Sequence, residues 1–276
     1  MDQKEASARS PFAGCVILIA ALLVMVFLVV FSTLTLFRQF DEIVKFTGDE
    51  PVEIELAKTD GEEAAINELA AKLEVFRQQL ADPAGEARLE LDADEINLAI
   101  AIYEPFKELR GTLRISSIDE EAMRAAISYE MNGRPRLTRG DEEGLVASDS
   151  RYLNGTLVVK PALLKREVVL QIEDIEVDGA EVPEEFIGQM SPYRITERYL
   201  GHETIGPVMA ELTRVGVSDG KLVLARVPGE TPVDAISDAE VDAASGQFFT
   251  VLGIAACVFL LFAGTVIVVG LRAKRD

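Results

Sequence analysis

Residues 88–103 read RLELDADEINLAIAIY. Leu89 and Leu91 alternate with Arg88 and Glu90, the period of a half-buried strand. Asp92 follows where a helix N-cap belongs, and Glu95, three residues on, completes a capping box. Ile96, Ala99, Ile100 and Tyr103 then recur at helical spacing and predict a buried face, and Pro105 ends the helix or follows its end. A strand running straight into a capped amphipathic helix makes the domain α+β.

Downstream the period changes to that of long strands. Residues 111–118 (GTLRISSI) predict one strand, and Met123, Ala125, Ile127, Tyr129 and Met131 share a face of the next. Residues 134–150 are charged and polar and predict a loop or a frayed hairpin. In 152–160, Leu153, Leu157 and Val159 share a face, and Pro161 predicts a strand end or an edge position. In 168–177 the apolar phase switches, from Val168, Leu170 and Ile172 to Ile175 and Val177. One extra residue near Glu173 and Asp174, a β-bulge, accounts for that and bends the strand. Pro183-Glu184-Glu185-Phe186 predicts a short helix with Pro at its first position, and residues 207–213 a second one. Asp219-Gly220, between apolar-rich runs in 215–227, is a strong hairpin signal.

Upstream, residues 60–81 predict the best soluble helix, capped by Thr59 or Asp60. Ile66, Leu69, Leu73, Phe76 and Leu80 form one stripe, which either packs on its own domain or makes a short seam to a second copy or another membrane protein. Asp82-Pro83-Ala84-Gly85 ends it. Val52, Ile54 and Leu56 alternate in 51–56 and predict a short strand.

Two apolar stretches flank all of this. Residues 248–271 (FFTVLGIAACVFLLFAGTVIVVGL) carry no charge and, at about 1.5 Å per residue, are long enough for a hydrocarbon core of roughly 30 Å. Arg272, Lys274 and Arg275 follow, whereas Asp234, Asp238, Glu240 and Asp242 precede, so the positive-inside rule predicts a cytoplasmic C-terminus. Residues 12–37 predict an uncleaved first anchor: the run is too long for a signal-peptide core, and no small-residue cleavage site follows. The expected layout is a cytoplasmic tail (1–11), a first transmembrane helix (12–37), an exit segment with the amphipathic helix (38–85), an extracytoplasmic α+β domain (86–228), a tether (229–247), a second transmembrane helix (248–271) and a basic cytoplasmic tail (272–276). The fold class is thus α+β, with two transmembrane helices flanking one extracytoplasmic domain whose bent antiparallel sheet packs on helices, in a plasma (inner) membrane of a bacterial cell envelope.

The chain's formal charge of −20 is concentrated between these stretches: residues 38–247 hold 22 basic and 44 acidic side chains. Such a domain lacks the basic footprint that nucleic-acid binding needs. Both cysteines, Cys15 and Cys257, lie in the apolar stretches, so the domain has no internal disulfide and no thiolate metal site. His202 is the sole histidine, which excludes most zinc sites and leaves any nucleophile–histidine pair dependent on it. No nucleophile elbow or phosphate-binding glycine loop occurs, and His202 reads as a loop or cap residue. The Asp119-Glu120-Glu121 and Asp141-Glu142-Glu143 runs follow no EF-hand pattern and read as solvated loops. No catalytic residue, metal site or cofactor is expected. Neither apolar stretch carries an ionisable residue, which argues against a transport route.

A D-A-D-E-I-N helix start (residues 92–97) after a short strand, long antiparallel strands, a P-E-E-F helix and a terminal VSDGKLVL hairpin together resemble small bacterial membrane-anchored envelope domains related to the TULIP lipid-binding group. The resemblance covers residues 88–227 and is specific at 91–100 and 215–224. It implies an apolar groove for acyl chains between the bent sheet and the helix of residues 91–103, with Ile96, Ile100, Tyr103, Ile127, Tyr129, Leu170 and Ile172 as candidate lining. The second membrane helix and the helix of residues 60–81 depart from the pattern and argue against a freely diffusing carrier. The expected function is a non-enzymatic envelope binding or assembly module that takes lipid acyl chains; the alternative is a scaffold subunit of a membrane complex.

Overall fold

The computed structural model describes residues 11–56, 61–140 and 143–234, with part of the side chains in the first helix. The chain divides into two units, residues 40–236 and the remainder on either side. In the flanking unit the described element is α1 (Pro11–Ile43), an unbroken helix of 33 residues, which runs on into the second unit. Its described side chains Leu18, Leu23, Phe27, Phe31 and Leu34 are all exposed. Among the described residues no helix is long and apolar enough to cross a membrane; the longest run of described side chains in α1 is residues 21–31. The second apolar stretch, 248–271, lies outside the described residues, as do the tail 272–276 and most of the tether. The α+β class is established; the expected pair of spans is not.

Residues 40–236 hold two antiparallel sheets. The larger is a meander of β2 (Leu113–Ile118), β3 (Met123–Leu137), β4 (Val146–Leu164) and β5 (Glu167–Glu176), in that order. The smaller joins β1 (Ala87–Leu91), β7 (Lys221–Arg226) and β6 (Arg214–Ser218). Each sheet faces its own apolar cluster, one built on Leu113, Ile115, Ala125, Leu157 and Ile172, the other on Leu69, Leu89, Leu91 and Leu212. The helix α3 (Ala93–Ile102) lies between them, giving Ile100 to the first cluster and Leu98 to the second. Both cores lie inside residues 40–236, so this part carries what it needs to fold alone.

Local chemistry explains most boundaries. The β6–β7 turn puts Asp219 at φ 52° and Gly220 at φ 72°, the double left-handed geometry of a type I′ hairpin. In β5 the register passes from Val158↔Asp174 to Val159↔Ile172, leaving Glu173 as the extra residue of a bulge, so Ile172 and Ile175 are both buried. Pro161 does not end β4, which continues to Leu164. It pairs with Leu170 on β5, whereas β3 has already ended opposite Val159, so the missing N–H falls on a local edge.

Three expectations change. The polar stretch 134–150 is largely ladder: β3 and β4 pair out to Leu137↔Val146, with a register shift between Asn132 and Pro135 where the proline cannot donate. Residues 51–56 form no strand; Ile54 makes one isolated bridge to Gly111, and Val52 donates instead to the Asn154 and Ser128 side chains. The amphipathic helix α2 spans Glu63–Ala81 with no side-chain cap at Glu62, and the expected caps Thr59 and Asp60 lie outside the described residues. Its stripe is turned inward. Leu69 is 1% and Phe76 4% exposed, and the half-buried Ile66, Leu73 and Leu80 pack around them, so this face lies against its own domain.

Candidate functional site

The site is assembled around α3, and the Asp92 capping box fixes where that helix starts. Asp92 Oδ1 accepts from the Glu95 amide at 2.8 Å, and the Asp92 amide donates to Glu95 Oε2 at 3.0 Å. Lys72 of α2 pairs with the same Glu95 and also donates to the Glu90 carbonyl at 3.2 Å. The start of α3 is thereby clamped against the middle of α2. One turn on, the buried Asn97 holds α3 to β2 through the backbone of Ile115.

The C-terminus of α2 is held by Arg226 of β7. Its guanidinium is buried and donates to the carbonyls of Leu80 (2.8 Å), Gln79 (2.9 Å), Asp82 (2.6 Å) and Gly85 (3.0 Å). Those carbonyls include the last ones of the helix, which have no intrahelical donor. Held at its middle and at its C-terminus, α2 stands over the smaller sheet and α3, and α5 (Ile205–Glu211) packs beside it.

These elements enclose a cavity of about 630 Å³, partly open to solvent. Its wall is almost wholly apolar: Leu69, Leu73 and Phe76 from α2; Ile96, Ala99, Ile100 and Tyr103 from α3 and its end; Val208, Met209 and Leu212 from α5 and its end; and Leu170 from β5. Of the seven expected lining residues, Ile96, Ile100, Tyr103 and Leu170 border this cavity. Ile127 and Tyr129 do not; they border a separate void of about 30 Å³ together with Tyr193 and Met190. Ile172 borders neither and is 6% exposed within the first cluster. The reason is α4 (Glu184–Met190), which packs on β5 and brings Ile187 and Met190 to the first cluster, so that part of the sheet is solid core.

Polar groups on the wall are few and mostly engaged. Glu74 and Arg77 form a two-bond ion pair at 2.7 and 2.8 Å, and the Arg77 hydrogen bonds, helped by Gln78, hold the exposed Glu74 carboxyl down at about 2. Thr196 donates its hydroxyl to the Val168 carbonyl at 2.7 Å. His202 accepts at Nδ1 from the amides of Thr204 (3.2 Å) and Ile205 (3.4 Å), capping α5. Tyr199 stands edge-on to Phe106, ring centres 5.4 Å apart, and its hydroxyl is buried with no hydrogen-bond partner. Burial pushes that phenol's pKa up.

Other charged features resolve as local structure. Asp119 accepts from the amides of Glu121 (3.0 Å) and Ala122 (2.8 Å), closing the β2–β3 turn, and those bonds lower its pKa. Asp141 and Glu142 lie outside the described residues. Among the described residues no three His, Cys, Asp or Glu side chains gather as metal ligands. In the sequon Asn154-Gly155-Thr156, the Asn154 carboxamide is already spent on Glu50, Val52 and Ser128.

No family model, curated protein or solved structure matches the chain. The site therefore stands on its own geometry. Sequence reasoning missed the part of α2, α5 and Tyr199 in the wall. The stripe of α2 was visible, but what it faces is not encoded in its spacing. Tyr199 lies in a stretch (SPYRITERYL) with no period to mark it.

Proposed function

We propose that this chain is a membrane-mounted, non-enzymatic binding module that holds a lipid acyl chain in the cavity between α2, α3 and α5. The cavity carries this reading. Because the cavity is partly open, water can enter it, but water gains little there, since the almost wholly apolar wall offers few free hydrogen-bonding groups. An apolar ligand would remove that wall from water, and the volume falls in the usual range for ligand sites, about 300–1,000 Å³. The layout resemblance to TULIP-related envelope domains points the same way.

Membrane mounting is supported by the exposed apolar side chains of α1, a surface that a soluble monomer does not leave bare, and by the uncharged stretch 248–271 in the sequence. The basic residues after 271 favour an orientation with both termini cytoplasmic and residues 38–247 outside. A reporter active only outside the cytoplasm, fused after Asp276, should be silent, and activity there overturns the orientation. The burial of Leu69 and Phe76 in their own domain supports the binding reading over a scaffold that uses the α2 stripe as its contact.

Residues 40–236, exported to a bacterial envelope and purified without detergent, test the binding reading by native mass spectrometry. A non-covalent lipid mass released on denaturation is the expected result. A protein that emerges empty and takes up no added acyl compound overturns it.

A further inference from the structure

We propose that the tip of the β3–β4 hairpin is a second membrane contact, in which Leu137 and Leu145 insert into the lipid surface next to the point where the chain leaves its first apolar stretch. This rests on the membrane-mounted reading. The two strands stay paired out to Leu137↔Val146, well beyond Met131 and Leu153, the last side chains they give to the first apolar cluster on their way to the tip. At the tip the Thr138 amide donates to the Leu145 carbonyl at 3.4 Å, so the two leucines lie at one end of the arm. They are 77% and 84% exposed. A single bare leucine needs no explanation, but a pair at the end of an arm that has left the core marks a contact surface.

The occupant follows from where the arm runs. Gly48 and Tyr152 exchange backbone hydrogen bonds at 2.8 and 2.9 Å, and Arg151 donates to Thr47 Oγ1 at 3.1 Å and to the Val44 carbonyl at 3.2 Å. Nearer the tip, Arg134 lies 3.8 Å from Asp41. Each step toward the tip therefore meets an earlier residue of the exit segment. The apolar run 12–37 ends four residues before Asp41, about 6 Å along a helix. Leu137 is three residues past Arg134, roughly 10 Å along a strand, so the arm is long enough to reach the lipid surface. Residues 134–150 carry three arginines against four acidic side chains, so apolar insertion and not attraction to anionic headgroups drives the contact. Two leucines suffice because the anchor already holds the domain at the membrane, which makes the contact intramolecular.

The test uses the full chain in phosphatidylcholine vesicles, with Cys15→Ala and Cys257→Ala leaving one introduced cysteine for an environment-sensitive fluorophore. Glu143→Cys places the label on the exposed tip and keeps both leucines. Val233→Cys is the control: it is 80% exposed, beside the Leu163–Asp234 bridge at the opposite end of β4. A doxyl-labelled phosphatidylcholine should quench the tip label several-fold more than the control label, equally at low and high salt. Leu137→Asp together with Leu145→Asp should bring the tip label down to the control's level with Tm unchanged, since both side chains are exposed. A tip label quenched no more than the control, quenching that survives the double substitution, or quenching that needs anionic lipid overturns the insertion while leaving the membrane-mounted reading in place. A chain that does not float with the vesicles overturns both.

Discussion

The Asn97 carboxamide and the Ile115 backbone form a closed pair of hydrogen bonds: Nδ2 donates to the Ile115 carbonyl at 2.7 Å, and Oδ1 accepts from the Ile115 amide at 2.8 Å. Ile115 lies on β2, an edge strand of the larger sheet, beside a register shift in its pairing with β3. One helical side chain thus takes the place of a neighbouring strand, in the buried seam between the two sheets.

Removing that side chain strands two buried backbone groups. Asn97→Leu should destabilise residues 40–236 by about 2–4 kcal/mol, combining the unpaired amide and carbonyl. Asn97→Asp should be no milder, since a carboxylate can accept from the amide but cannot donate to the carbonyl. Urea unfolding followed by circular dichroism reads both, and a loss below about 0.5 kcal/mol, the scale of an ordinary surface substitution, would show that the pair is dispensable.

Arg226 binds four carbonyls at the end of α2 through a planar fork that lysine lacks. Arg226→Lys should therefore cost about 1–3 kcal/mol, and Arg226→Met somewhat more. The loss should be concentrated at α2: hydrogen exchange should speed up over residues 75–82 first. Uniform acceleration across the domain would mean that Arg226 supports the global fold and not the end of that helix.

Leu73 is half-buried and faces the cavity from α2. Leu73→Trp adds bulk where space exists, so thermal stability should hold or rise. Binding of a fluorescent acyl probe should fall at least about tenfold, the effect of roughly 1.4 kcal/mol. A cavity-filling change that leaves probe binding intact would place the probe elsewhere. Ile100→Glu is a poorer test, because Ile100 also belongs to the first core cluster and a charge there attacks the fold itself.

Alkaline pH should loosen the domain. Burial raises the pKa of both Tyr193 and Tyr199 above the ordinary phenol value. Groups whose pKa is raised by folding contribute stability that is complete below the unfolded value, near pH 10, and is lost as pH climbs through the folded value. The urea midpoint should be flat below that point and fall above it, with tyrosinate absorbance showing two phenols that ionise late. Tyr199→Phe should remove part of the fall. A midpoint that is flat through the tyrosine range contradicts the burial of these hydroxyls.

Much of the local structure was written in short-range chemistry. Asp92 and Glu95 declare the start of α3, Asp219-Gly220 the β6–β7 hairpin, and the phase switch around Glu173 the bulge that bends β5. Each depends on residues within a few positions of one another, so spacing alone is enough. The 134–150 stretch was harder, because a polar hairpin that continues a ladder beyond the core looks like a loop: its pairing comes from backbone hydrogen bonds that leave no hydrophobic period.

By itself, then, the sequence determined the α+β class, the period and caps of the elements, the acidic domain between two apolar stretches, and the lack of thiolate or histidine-rich metal chemistry. Only the tertiary structure decided that α2 packs on its own domain, that Arg226 and Asn97 are structural clamps, and that Ile100 borders a void while Ile172 lies in solid core. The physical reason is that a groove and a core are lined by the same apolar residues. What separates them is whether another element fills the space in front, as α4 does over the first cluster, and that is a property of packing between segments distant in the chain.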